Sequence, residues 1–257
     1  MIFPHRSCAN RASWQIAEFP VLSEKHALVY PSSESADMPS SVAVQNATHD
    51  QPVHEQRVVV HPVSWETYEK LLADLIDQSS PRLCYDRGTL EIMSPSPEHE
   101  RVNRLLALLI DLTAEELDID IESLGSMTLK REDFARGFEP DSCFYIQHES
   151  QIRGKNTLDF TIDPPPDLVI EIDITSGSLE KFPLYAEVGV PEIWRYDGQR
   201  FCIHQLTADR YIESETSAVL PLLTRTVIAA SLLESKTLRR TALIRTFREK
   251  IRTLRAP

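Results

Sequence analysis

No Cys-x-x-Cys pair occurs in the chain: its four cysteines, Cys8, Cys84, Cys143 and Cys202, are widely scattered. That spacing suits neither a zinc knuckle nor a disulfide framework, and it fits a reducing cytosol. A run of 18 apolar residues is missing, and so is a charged-then-apolar leader, so neither a membrane span nor export is expected. Gly-x-Gly-x-x-Gly, the P-loop, His-Glu-x-x-His and Gly-x-Ser-x-Gly are all absent, which leaves P-loop nucleotide hydrolysis, zincin proteolysis and α/β-hydrolase chemistry without support. No repeat of 20–50 residues is visible. Positive charge is scarce, with 27 Lys and Arg against 39 Asp and Glu, a net charge of -12. Such a body repels a phosphate backbone unless positive charge is concentrated locally or a metal intervenes.

With 257 residues, 42% of them hydrophobic, the chain can bury one sizeable core with flanking segments. Residues 1–56 are poorly periodic and carry a Ser-, Pro- and acid-rich stretch at 31–41, so they are expected to be a mostly disordered extension. Met38 offers an alternative start within it. Residues 57–235 read as the folded domain. Residues 236–257 hold eight Lys or Arg and one acid. They have the pattern of a basic amphipathic helix, with Leu243, Phe247, Ile251 and Leu254 on one face. That helix reads either as a solvated face over a core-packed stripe or as a contact for DNA or an acidic partner.

Ser64 caps a first helix in which Leu71, Leu72, Leu75 and Ile76 recur at helical spacing. Two short strands at 82–85 and 89–93 flank Asp86-Arg87-Gly88, a hairpin turn. Ser96-Pro97 then opens a second helix whose stripe of Val102, Leu105, Leu106, Leu109 and Leu112 runs to about 117. Strands are expected at 119–124, 127–130, 140–146 and 168–174, then a helix at 179–188 closed by Gly189, then strands at 192–196 and 201–205. Trp65, Trp194 and Tyr196 stand in apolar settings and read as core.

The segment from Asp167 to Ile174 alternates with period two. Leu168, Ile170, Ile172 and Ile174 share one face; Asp167, Val169, Glu171 and Asp173 share the other. A half-exposed strand turns acids to water, but so apolar a strand is expected to be covered on both faces, where a carboxylate needs a partner or a cation. Glu139-Pro140-Asp141 opens another strand; if the two lie side by side, Asp141 comes near Glu171. Carboxylate oxygens converging in this way are what a hard ion such as Mg²⁺ requires.

Phe138-Glu139-Pro140-Asp141, the run from Pro166 to Ile172, Lys181, Tyr185-Ala186 and Gly189-Val190-Pro191-Glu192-Ile193-Trp194 follow one another in an order that resembles the Uma-two (Uma2) family of restriction-endonuclease-like proteins, typical of cyanobacteria. The resemblance covers about residues 60–210. It implies an α/β restriction-endonuclease-like core of the PD-(D/E)XK type, a mixed sheet flanked by helices. It also implies Mg²⁺ (or Mn²⁺) held by Asp141 and Glu171; the strand alternation adds Asp173 as a further candidate ligand. Asp173 stands where those nucleases carry Lys; Lys181 is the expected substitute, with Lys130 in reserve. Glu98 and His99, in the first turn of the second helix, are possible additional groups, although Glu98 also suits a helix N-terminus. The function implied is metal-dependent DNA hydrolysis by a cytoplasmic homodimer. The alternative is a catalytically silent domain of the same fold that binds DNA or protein.

Overall fold

A computed structural model describes residues 55–75, 78, 80–174 and 180–256, all within the unit Asp50–Pro257. The local signals work as their chemistry dictates. Ser64 caps α1 (Trp65–Asp74) by accepting from Thr67 N. Ser96 caps α2 (Pro97–Leu117) by accepting from His99 N, with Pro97 in the first turn, where its missing N–H costs nothing. The hairpin of β2 (Arg82–Asp86) and β3 (Thr89–Ser94) turns through Gly88 at φ +96°, a conformation that a side chain opposes.

These two strands lie in an antiparallel sheet of five, ordered β1-β3-β2-β6-β5, with β1 (Gln56–Val60), β5 (Leu129–Arg131) and β6 (Arg136–Phe138). A second sheet has six strands in the order β11-β10-β9-β8-β7-β4. It comprises β4 (Glu122–Gly125), β7 (Ser142–Tyr145), β8 (Leu168–Ile172), β9 (Glu192–Tyr196), β10 (Phe201–Thr207) and β11 (Arg210–Ser214). Its β8–β9 pair is parallel, which requires a crossover, here through α4 (Phe182–Val188). A short helix, α3 (Glu149–Ile152), follows β7.

All five residues of β8 are buried, which explains its near-continuous apolar run. Leu168, Ile170 and Ile172 join Phe144 and the inward faces of α2, α5 (Arg225–Glu234) and α6 (Arg240–Arg255) in one core. On the opposite face Val169, Cys143 and Ile193 meet Leu184 and Tyr185 of α4, with Cys84, Leu129 and Phe138 from the five-stranded sheet. Burying each large apolar side chain contributes about 1.5–3 kcal/mol. The second sheet and its helices therefore hold most of the stabilising surface, and the first sheet leans on them.

The α/β fold with a mixed sheet flanked by helices is as expected, and its strands divide between two sheets because the hairpin at 82–94 pairs with β1 and β6. Other expectations are corrected. Gln56 was assigned to the extension, yet β1 starts there, and Glu55 is buried; residues 1–54, and with them the proposed disorder and Met38, lie outside the described residues, as do Ile76 and Leu179. The basic helix α6 buries Leu243, Phe247 and Ile251 in the core. Its Arg248 and Arg252 are engaged by Glu115 and Glu116 of α2, so this part of its charge is met within the chain. Trp194 and Tyr196 are core residues, and Trp65 packs on Tyr68 and Tyr85 with ring separations of 5.1 and 5.5 Å. Cys84, Cys143 and Cys202 are free thiols. No described helix is long and apolar enough to cross a membrane.

Candidate functional site

The chain leaves the five-stranded sheet at Phe138 and enters the six-stranded one at Ser142, so Glu139-Pro140-Asp141 is one of the joints between them. Glu139 serves that joint, since its carboxylate accepts from Leu83 N at 2.9 Å and from Thr128 Oγ1 at 2.7 Å. Asp141 is fixed against β8: its N–H donates to Ile170 O at 3.1 Å and its Oδ2 accepts from Ile172 N at 2.5 Å. Those two bonds straddle Glu171 and set both acids at one level of the sheet.

Asp141 is 2% exposed. Its Oδ1 touches the Arg82 guanidinium and lies 2.9 Å from His99 Nε2, yet this buried oxygen accepts no well-aligned hydrogen bond. Arg82 also donates to Glu100 at 2.8 Å. Burial lowers its pKa, with Glu100 and then Glu171 pulling the other way; Arg82 thus feels the charge of Glu171 while it touches Asp141. His99 is wholly buried, and its Nδ1 is 3.8 Å from Glu55 Oε2.

Glu171 accepts from Lys181 Nζ at 2.9 and 3.2 Å, and from the Tyr185 hydroxyl. Lys181 is the residue that precedes α4, so its long side chain lies along the end of β8. Burial works to depress the Lys181 ammonium, but Glu171, with Cys84 and Glu91, outweighs it and the pKa ends above the ordinary lysine value of 10.5. Beside Glu171, Lys181 therefore carries its charge at neutral pH. Burial, and then Glu171, raise the Tyr185 hydroxyl well above its ordinary value, so it stays a donor.

Asp173 takes a different set of partners: Arg195 at 2.7 Å and Arg57 at 3.4 Å. Arg57 in turn donates to Glu91, 2% exposed on β3, at 3.0 Å and to Glu55 at 2.5 Å. Among the described residues, Asp141, Glu171 and Asp173 are not a group whose ligand atoms all lie within 4.8 Å of one another. Glu98 is exposed: one helical step of about 100° turns His99 and Asn103 inward instead. Lys130 is half-exposed and meets Glu69 at 2.9 Å. Neither Glu98 nor Lys130 joins the group around Asp141.

Arg82, Glu91, Arg57 and Tyr185 were not singled out as site residues. Arg82 and Glu91 are charged residues inside otherwise apolar strands, which is the one signal that points to them. As a donor set, Asp141 and Glu171 supply hard carboxylate oxygens from neighbouring strand positions, the kind a divalent cation takes. A cleft of about 800 Å³ adjoins the group at Arg82 and Glu139 and extends to Glu69, Lys130 and Asp159.

A solved protein from Anabaena variabilis ATCC 29413, described as a "putative nuclease belonging to DUF820", is similar at 16% identity and a TM-score of 0.46, over 66% of this chain and 98% of that one. No curated protein matches. The family Uma2, described as "Putative restriction endonuclease", matches residues 65–233. That span runs from the first residue of α1 to the last turn of α5 and takes in Arg82, Asp141, Glu171 and Lys181; the chain belongs to the Uma2 family of restriction-endonuclease-like proteins.

Proposed function

We propose that the protein is a metal-dependent endonuclease that hydrolyses DNA phosphodiester bonds, working in the cytoplasm as a homodimer with one active centre per chain. The observation that supports this most is the pairing of Asp141 and Glu171 at one level of neighbouring strands, with Lys181 against Glu171, in a chain of the Uma2 family. Asp141 and Glu171 would hold Mg²⁺ or Mn²⁺. Asp173, spanned by Arg195 and Arg57, is a ligand only if those contacts loosen. When bound, the ion supplies Lewis-acid polarisation of the phosphoryl group.

The remaining work falls to the chain's own side chains. Arg82 and His99 orient Asp141, and Tyr185 orients Glu171 by donating to it. Lys181 keeps its proton and offers positive charge where negative charge grows on the phosphoryl oxygens. A scissile group that enters this water-poor setting meets donors already in place, so little reorganisation is needed at the moment of reaction.

A second reading, a catalytically silent domain that binds DNA or protein, draws on two observations. Asp173 occupies the position of the usual lysine, and the site's acids are already met by Arg82, Lys181, Arg57 and Arg195. One experiment separates the two. Plasmid and single-stranded DNA are incubated with Mn²⁺ and the wild type, Asp141→Asn or Glu171→Gln protein. The nuclease reading expects cleavage by the wild type and a loss of about two orders of magnitude or more in each variant. Retained Mn²⁺ and DNA binding without cleavage would favour the silent domain. Equal cleavage by all three proteins would reveal a contaminant.

A further inference from the structure

A second group of ligating side chains sits apart from the acidic centre, on the hairpin β10–β11. Cys202 and His204 are two residues apart on β10 and so share a face. Glu213 is the cross-strand partner of His204. The Cys202 sulfur, a His204 ring nitrogen and a Glu213 carboxylate oxygen all lie within 4.8 Å of one another. Cys202 is buried, His204 half-buried and Glu213 exposed, so the group is open to solvent on one side. The Phe182 ring packs edge-on to His204 at 4.8 Å and covers another side.

We propose that Cys202, His204 and Glu213 form a binding site for a borderline-soft divalent cation of the Zn²⁺ class, with water as the fourth ligand. The donor set decides the class. Thiolate and imidazole suit Zn²⁺, and Mg²⁺ avoids sulfur. The site is therefore chemically separate from the oxygen-only pair at Asp141 and Glu171. Three protein ligands and one open position are the composition of an exchangeable rather than a closed structural site.

Burial sets how each ligand is protonated before a cation binds. Burial, opposed by Glu213, lowers the His204 pKa, so its imidazole is neutral at pH 7 and offers a lone pair. Burial also raises the Cys202 pKa, so the free protein holds a thiol. Binding forms the metal–sulfur bond and releases that thiol proton to water, with no change of oxidation state. Arg200 holds Glu213 at 2.6 Å and Arg225 stands at 3.7 Å. These are pairs between partly exposed groups, which water weakens, so Glu213 can exchange or share them. The bound cation would tie β11, an edge strand, to β10, and would fix Phe182 next to Lys181.

Full-length protein, stripped of metal and kept reduced by a phosphine, is titrated with Co²⁺. The expected result is a thiolate-to-cobalt charge-transfer absorption that saturates at one Co²⁺ per chain and is displaced by Zn²⁺ but not by a large excess of Mg²⁺. Cys202→Ser should abolish it, His204→Gln and Glu213→Gln should each weaken Co²⁺ binding tenfold or more, and Asp141→Asn should leave it unchanged. No absorption in the wild type overturns the proposal. So does an absorption kept by Cys202→Ser, which would assign another cysteine. If Cys202→Ser does not fold by circular dichroism, the Gln variants decide: undiminished binding in both overturns the site.

Discussion

Lys181 carries its charge in a buried place, 12% exposed at the side chain beside a Glu171 that is 10% exposed. The pair's contribution to stability has a definite pH signature. Because the folded pKa of Lys181 lies above its ordinary 10.5, the stabilisation is fully present below that value and is lost as pH rises through the folded pKa. The melting temperature of the wild type should thus exceed that of Lys181→Met by a constant margin from neutrality into mild alkali; a margin already gone near pH 8 would refute the assignment. In the cleavage assay, Lys181→Met should slow turnover by about tenfold to a hundredfold without shifting the acid side of the pH profile. Arg82 is the other exposed question at this scale. Its removal leaves the buried Asp141 carboxylate with only His99 and the Ile172 N–H beside it, so Arg82→Ala should cost about 3–5 kcal/mol in urea unfolding, and millimolar Mg²⁺ should restore part of it. Asp141 and Glu171 were legible in the sequence because alternation assigns them to strand faces. Arg82 and Glu91 were not, since their partners come from strands many residues away.

At the scale of elements, α6 tests which of its two faces matters. Phe247 is fully buried, and Phe247→Ala should destabilise by about 3–5 kcal/mol. Arg248→Ala removes contacts with Glu115 and Glu116 at the surface and should change the melting temperature little, and less still at high salt. The five-stranded sheet has its own weak point. A Cβ on Gly137 would come within 2.6 Å of Tyr68 ring carbons, so Gly137→Ala should cost about 1–3 kcal/mol by prising α1 from β6, as denaturant melts would reveal. Long periodic elements such as α2 and β8 could be read directly. β6 has three residues, too few for a period, and β1 ends in Val58-Val59-Val60 with no alternation. α5 places apolar side chains around most of its circumference, so it offers no stripe to find. The split into two sheets could not be read at all, because it depends on which strand pairs with which.

At the scale of the molecule, a chain started at Met38 retains every described element, and its melting temperature and Mn²⁺ affinity should equal those of the longer chain; a loss of either would show that residues 1–37 contribute. The net charge of -12 opposes approach to DNA, so association should depend on divalent ions, with dimerisation checked by sedimentation. Two short segments link the sheets directly, 126–128 and Glu139-Pro140-Asp141, and the second ends on a candidate site carboxylate. Arg82 reaches Asp141 from one sheet while Ile172 N reaches it from the other. Tilting one layer against its neighbour would pull those grips apart and misaim the acid. The aim of Asp141 is in that sense a readout of the angle between the two layers.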